Sequence, residues 1–540
     1  MRLPSVQYSD RISKYKQLRF NGLNHNIGAG DGELWDMQNM TGDCYPLLAV
    51  RAPRFLHSKL INPGGIFAWN ELCWAADGKF YYNGTEKGEL TLGQKSFAAI
   101  GSIIVILPDK CYYDVQTDAF GSLEATWIGV SLTFCDGVLY EETAEANCIQ
   151  AEGVDWAQYF RVGDSITISG CAVQPANNKV DIIRAIDGDK LYFYEQAFTL
   201  AEEEDSYTEN GNLQITRTIP DLLYVCEQDN RLWGCSESTI YCSKPGDPFN
   251  WNVYEGLDSD AWAVTPASPG TFTGCVSYGN YPIMFKEDHL YKIYGSVPSS
   301  FSCVDSATSG LAQGSGGSLA IAGETLFYLS RNGVVAYSGG IPQPVAAAFG
   351  LKRFKNGVAA SDGLKYFISM QDEQNVWGLY VYDTQIGTWH KEDDSRITHF
   401  ARVGRCLYML NAEGELWITG PEADIPQDAE METEIAWMVE TTDFTESNPN
   451  KKHTGKVQLR MELDDGSTAQ VWMQFDSDRI WHRVGVPMGE SRKRSYYLPI
   501  KPRRCDHYRI RITGIGGCRI HSLTREVAPG SEHTTKKGRY

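Results

Sequence analysis

The residue types that do chemistry are plentiful in this chain of 540 residues, yet their spacing does not assemble a catalytic motif. Nucleophilic acyl chemistry would need a strained GxSxG turn, zinc hydrolysis an HExxH helix, and phosphate handling a GxxxxGK[ST] loop; none occurs. Propeller glycosidases and sialidases place paired carboxylates in a funnel and carry repeated SxDxGxTW boxes. The nearest approach, YDTQIGTW at 382–389, occurs once and lacks the leading Ser, so it reads as a strand and turn that bury Trp389.

Metal chemistry is equally unsupported. The 14 cysteines include no CxxC pair, and the closest grouping, Cys226, Cys235 and Cys242, alternates along strand-like runs instead of converging as zinc ligands do. Buried, reduced core thiols are expected. The 10 histidines are dispersed. The sequence therefore predicts no catalytic, metal or cofactor-binding residues and no enzymatic activity. What does cluster is positive charge: Arg492, Lys493, Arg494, Lys501, Arg503, Arg504, Arg509 and Arg511 form a candidate protein interface.

The charge balance sharpens that choice. Lys+Arg number 49 against 68 Asp+Glu, a net of −19, which excludes a general nucleic-acid coat because phosphate neutralisation needs a basic surface. Residues 451–540 alone hold 19 Lys+Arg and 9 Asp+Glu, a net of +10, which leaves −29 on residues 1–450. A solvated basic face is the default reading of such a cluster; the complementary fields make an acidic protein neighbour the functional reading, with DNA a lesser partner.

The elements that must position these residues are strands. Almost no window shows apolar residues at i, i+3, i+4 and i+7, whereas turn–alternation–turn units recur. DGKFYYNG at 77–84, DGVLYEE at 136–142, NRLWGCS at 230–236 and EDHLYKIYG at 287–295 share this form. GETLFYLSRNGVVAYSG at 323–339, DGLKYFISM at 362–370 and RCLYMLNAEGELWITG at 405–420 continue it. Their spacing suits four-stranded blades and predicts an all-β fold, a six- or seven-bladed β-propeller, with residues 47–55 expected to supply a ring-closing strand.

Two breaks divide the chain. Residues 143–218 read as a small inserted β-barrel with tight Asn-Asn and Asp-Gly-Asp turns, and the acidic, Pro-containing 421–434 reads as a linker. The expected organisation is an N-terminal segment and first blades over 1–142, the barrel over 143–218, remaining blades over 219–420, a seven-stranded β-sandwich over 435–528 and a disordered tail over 529–540. No bilayer-length apolar run and no secretory h-region are visible, so no membrane anchoring is expected and assembly in a cytosol is.

Several segments together resemble a family of β-propeller virion proteins of tailed bacteriophages, described as stabilisation, tail-hub or tail-nozzle proteins. They are FNGLNHNIGAGDGELWDMQNMTGDCYPLLAVRAPR (20–54), RLWGCSESTIYCSKPGDPFNW (231–251), PIMFKEDHLYKIYGSVPSSFS (282–302), LFYLSRNGVVAYSGG (326–340) and PIKPRRCDHYRIRITGIGGCRIHSL (499–523). The resemblance implies a structural virion component of the tail or head–tail junction. It would be made in the host cytoplasm and assembled as a homo-oligomeric ring with other tail or portal-proximal proteins, around a channel where DNA makes passing contact. It carries no catalytic residues. The alternatives are a tail module that binds host-surface carbohydrate and a propeller glycan hydrolase.

Overall fold

The computed structural model describes residues 12–26, 30–138, 145–194, 196–200, 205–446, 450–489, 492–501 and 503–529. Among them the regular structure is strand, with only short 3-10 turns besides, and no helix is long and apolar enough to cross a membrane. The predicted tail lies beyond the described residues apart from Pro529. The chain divides into two compact units, Leu60–Gly316 and the combination of Met1–Lys59 with Gly317–Tyr540.

The first unit holds four antiparallel four-stranded sheets, each a simple meander. Their first strands are Pro63–Trp69, Ser96–Ile100, Tyr224–Gln228 and Gly274–Tyr278, and these four lie side by side in that order. That is the blade arrangement of a propeller, in which the leading strand of every blade faces the axis. Burial on both faces explains the strands: Ile103–Leu107 and Arg231–Cys235 are covered almost throughout, because each blade packs against its neighbours.

The same unit contains a closed six-stranded barrel. It begins at Ala125, not at 143, because Ala125–Val138 is a 14-residue strand that pairs along Ser206–Arg217 and, at its far end, with Glu145–Gln150. Asp136–Val138 of the 136–142 unit therefore belong to the barrel and not to a blade, and the rest of that unit lies outside the described residues. A bulge between Gly129 and Ser131 bends the strand. At Gly129 a Cβ would stand 2.2 Å from the Trp127 ring, so the ring's position requires glycine. Trp127, Phe134, Trp156, Phe160, Ile183 and Leu191 fill the interior. Cys135 and Cys148, on paired strands, form a disulfide, while the other 12 cysteines are free, in keeping with the expectation that most are reduced.

The second unit holds three more blades, starting at Ala320–Ala322, Phe354–Ser361 and Ile397–Val403. The last has three consecutive strands, and its fourth is Phe55–Lys59, paired with Glu415–Thr419 across some 360 residues of sequence. The closing strand is thus the one after the expected 47–55. Leu48–Val50 instead pairs with Cys518–Pro529.

Both sheets of the C-terminal sandwich recruit the N-terminal segment. Ser13–Gln17, Met40–Thr41 and Leu48–Val50 join Lys452–Leu463, Arg494–Leu498 and Cys518–Pro529 in one sheet, and Leu34–Gln38 joins Ala436–Thr441, Thr468–Phe475, His482–Gly485 and Tyr508–Ile515 in the other. Alternating burial in Lys452–Leu463 and Thr468–Phe475 directs Leu459, Met461, Val471 and Met473 into a core shared with Leu34, Met37 and Leu48. The fold is all-β: a propeller with seven blade sheets among the described residues, an inserted barrel and a C-terminal β-sandwich.

Candidate functional site

The cationic candidates all fall on the sandwich, but its strand pairings separate them. Arg509 and Arg511 are two apart on Tyr508–Ile515, so they share the face opposite the buried Tyr508, Ile510 and Ile512. The neighbouring strand sets Glu440 directly opposite Arg511. Arg509 donates from Nε to Asp443 Oδ1 at 2.5 Å and Arg511 from Nε to Glu440 Oε2 at 2.9 Å. Their guanidiniums also lie over aromatic rings, Arg509 4.7 Å from the Trp35 centroid and Arg511 4.1 Å from that of Trp481. Hydrogen bonding to Asp443 raises the Arg509 pKa further. These two arginines are therefore committed within the chain and do not belong to a free interface.

The others lie nearer solvent. Arg503 donates from NH1 to His482 Nε2 at 3.1 Å and pairs with Asp478 at 3.3 Å, yet its side chain stays 48% exposed. Arg492, Lys493 and Lys501 are exposed, whereas Arg494 and Arg504 are half-buried. Lys501 and Arg503 flank a cleft of about 630 Å³ whose walls include Phe475, Trp481, Val484 and Ile500, and which also takes in the exposed Arg483. Close in sequence stand exposed apolar side chains, Ile480, Met488 and Tyr497. Sequence reasoning missed Arg483 and these apolar residues. The signal was present in SDRIWHRVGVPM (477–488), where cations stand among apolar residues.

A buried ion pair ties the sandwich to its N-terminal contribution. Arg525 is fully buried; it donates from Nε to Glu446 Oε1 at 2.8 Å and from NH2 to Asp31 Oδ2 at 2.8 Å. The Tyr508 hydroxyl donates to the same Glu446 oxygen at 2.6 Å, and the Phe444 ring centroid lies 3.6 Å from the guanidinium.

In the first unit, the Pro/Gly turn KPGDPFNW anchors the barrel to the third blade. Asn250 accepts the Ser165 backbone N–H at 2.8 Å and donates to Asp164 at 3.3 Å, and Asp164 pairs with Arg217 in a buried bridge. Phe249 stacks under Arg161, 3.3 Å from its centroid, and Trp251 donates to the Pro248 carbonyl at 2.8 Å. Four hydrogen-bonded residues thus hold the insertion in a fixed attitude to that blade.

Two further clusters touch on metal chemistry. Asp476, Asp506 and His507 bring one ligand atom each within 4.8 Å of one another, but they are exposed or half-buried and already bond among themselves: Asp506 N–H to Asp476 at 2.8 Å, and His507 to Asp506. Cys226 and Cys235 both meet Cys275, a contact that pushes the Cys275 thiol pKa well up, and Cys242 lies in the same apolar core, as the core-thiol expectation required.

The chain matches no protein-family model and no curated protein. Solved structures similar to it include BamB from Moraxella catarrhalis, at 10% identity and a TM-score of 0.32, covering 67% of this chain and 95% of that one. U3-55K aligns at 8% identity and a TM-score of 0.33 over 68% of this chain and 98% of its own. The computationally designed protein Ika8 aligns at 10% identity and the same score, over 68% and 98%. The assignment of blades, barrel and sandwich rests on the strand pairings themselves.

Proposed function

We propose that the chain is a structural virion protein of a tailed bacteriophage, part of the tail or head–tail junction, whose sandwich docks on an acidic protein neighbour. The observation that carries the docking is the combination of exposed Arg483, Lys501 and Arg503 around the apolar-walled cleft with exposed Ile480, Met488 and Tyr497. Protein interfaces favour such arginine and aromatic anchors within a polar rim. The phage assignment is supported by the sequence resemblance over residues 20–54, 231–251, 282–302, 326–340 and 499–523. Blades packed face to face give a rigid scaffold, and the barrel and sandwich add docking surfaces to it.

Exposed ion pairs contribute about 0–1 kcal/mol each, so attachment needs several of them together with apolar contact. Replacing Arg483 and Lys501 together by Gln leaves the buried pairs intact. The double variant should fold normally and be incorporated into particles less, the more so as salt rises. Normal incorporation at every salt concentration would refute the docking surface. Labelling the subunit in whole particles tests the phage role directly: several copies near the portal axis are expected. A second reading, glycan binding by the same cleft, is favoured by Trp481 in its wall. It predicts retention on a polysaccharide column that is lost in Trp481→Ala.

A further inference from the structure

Thr468–Phe475 ends and Tyr508–Ile515 begins at the same end of one sandwich sheet, where Phe475 pairs with Tyr508. The residues just beyond that pair therefore stand side by side. The Asp476 N–H donates to the His507 carbonyl at 3.1 Å, and the Asp506 N–H to Asp476 Oδ1 at 2.8 Å. Within this frame Ser477 Oγ lies 2.7 Å from His507 Nε2, and His507 Nδ1 bonds the Asp506 carboxylate. A carboxylate only accepts, so in the neutral ring Nδ1 carries the proton and Nε2 is left to accept from the Ser477 hydroxyl. Nucleophile, base and orienting carboxylate in that relation are what serine acyl transfer uses, and the relation is recognised by geometry, not by order in the chain. The motifs sought in the sequence are contiguous, whereas Ser477 and His507 lie 30 positions apart.

Access and backbone fit the role. Ser477 is exposed and the His507 side chain is 24% exposed, so a substrate reaches both from solvent. Asp476, Ser477 and Arg479 all have positive φ, 49°, 52° and 61°. Left-handed backbone is unfavourable for residues other than Gly and gathers where a side chain must be aimed. Here it is held by Asp478, whose N–H donates to the Phe475 carbonyl at 3.0 Å and whose carboxylate pairs with Arg503 at 3.3 Å. The Ser477 N–H donates to no acceptor among the described residues and is left to meet an oxyanion. We propose that Ser477, His507 and Asp506 form a triad that hydrolyses carboxylic esters. Ser477 Oγ adds to the ester carbonyl carbon as its proton passes to His507 Nε2; the adduct expels the alcohol, which takes that proton, and acyl-Ser477 remains. Water then adds to the acyl carbon, giving a proton to Nε2 that returns to Ser477 Oγ as the acid leaves. One ester and one water thus yield one acid and one alcohol. Asp506 orients the imidazole and, with Asp476 beside it, offsets the charge of the imidazolium. The open setting suits esters and not amides, whose poorer leaving group demands an enclosed, preorganised site. The proposal does not rest on the virion role.

Two measurements on the full chain test it. Incubated with a fluorophosphonate, the unaltered chain should take up a phosphonyl group that peptide mapping places on Ser477. It should also hydrolyse 4-nitrophenyl butyrate. Ser477→Ala, which removes only an exposed hydroxyl, and His507→Gln should each slow that hydrolysis about a hundredfold, the low end of what a positioned base contributes. The double variant should be no slower than either single one, because nucleophile and base act as a unit. Asp506→Asn should cost less, about tenfold, since its carboxylate is 51% exposed and Asp476 remains. A chain that leaves Ser477 unlabelled would overturn the proposal, and so would hydrolysis undiminished in His507→Gln. Hydrolysis retained in Ser477→Ala but lost in His507→Gln would also overturn it, showing an imidazole that attacks the activated ester by itself. The labelling result needs no substitution and so does not depend on any variant folding.

Discussion

Replacing Glu446 by Gln should destabilise the sandwich far more than removing any surface charge. The change is nearly isosteric and leaves Tyr508 its acceptor, so what is lost is the charge opposite Arg525. That guanidinium is fully buried, and its remaining carboxylate, Asp31, is 59% exposed and therefore screened. Breaking a buried pair by removing one partner costs about 3–5 kcal/mol, and the surviving contact at 2.8 Å to Asp31 places this case near about 3 kcal/mol. Arg525→Met alone leaves Glu446, itself 2% exposed, as a buried carboxylate with only the Tyr508 hydroxyl, and should cost as much or more. The double variant Glu446→Gln/Arg525→Met leaves no buried charge, so its cost should fall to about 1–2 kcal/mol, well under the sum of the singles. With two compact units, a single melting curve is ambiguous; hydrogen exchange over Cys518–Pro529 and its partner Lys452–Leu463 reads the local opening energy instead. Exchange there should quicken about a hundredfold in Glu446→Gln. An acceleration under tenfold, or a double variant as unstable as the two singles added, would refute the reasoning.

Asn250→Ala should loosen the barrel from its blade: the Ser165 N–H loses its acceptor and Asp164 one donor, at a cost of about 1–3 kcal/mol. Faster exchange in Ser165–Ser169, with Ile103–Leu107 unchanged, is the expected result. Acid should destabilise the second unit through His390, which is 3% exposed with a pKa of about 4 against an ordinary 6.5, Asp383 and Asp43 only partly opposing the burial and Lys365 that depress it. The unfolded chain binds the proton first, so this stability is complete above about pH 6.5 and fades as pH falls towards 4; about 2 kcal/mol should be lost between pH 7 and 5. His390→Gln should remove that part of the pH dependence in denaturation measured at both values.

What was legible in the sequence was local. Six of the seven turn–alternation–turn units sit in blades because a blade hairpin is made by neighbours in sequence, and a short apolar run between turn residues marks it directly. The seventh, 136–142, has the same local form, yet its strand runs on to Ala125 and pairs with residues about 80 positions away, which no window of alternation reveals. The closing strand failed for the same reason: Leu48–Val50 and Phe55–Lys59 are both short and apolar enough, and only their distant partners, Cys518–Pro529 and Glu415–Thr419, tell the sandwich strand from the blade strand. All seven sandwich strands expected between 437 and 524 are present, since each carries its own alternation; the strands recruited from residues 13–50 do not announce their destination.

The charge asymmetry has the same lesson in energetic form. Taken as a division at residue 450, −29 against +10 suggests that the C-terminal region seeks an acidic partner elsewhere. The structure shows that part of the complement is already supplied by the same chain: Glu440, Asp443 and Glu446, counted with the acidic portion, neutralise Arg509, Arg511 and Arg525. Those pairs are buried or half-buried and only weakly screened, so they serve the sandwich and contribute little to the salt dependence of assembly. Exposed cations of this region include Arg483, Lys493 and Lys501, and Arg503 is shared with Asp478. Exposed ion pairs contribute about 0–1 kcal/mol each, so such cations do not hold a subunit by charge alone. In the proposed docking, apolar contact through the exposed Ile480, Met488 and Tyr497 would supply most of the affinity, while the cations would select the partner and speed its approach. It follows that replacing Met488 and Tyr497 by Ser should weaken incorporation at all salt concentrations alike, in contrast to the salt-dependent loss from Arg483 and Lys501.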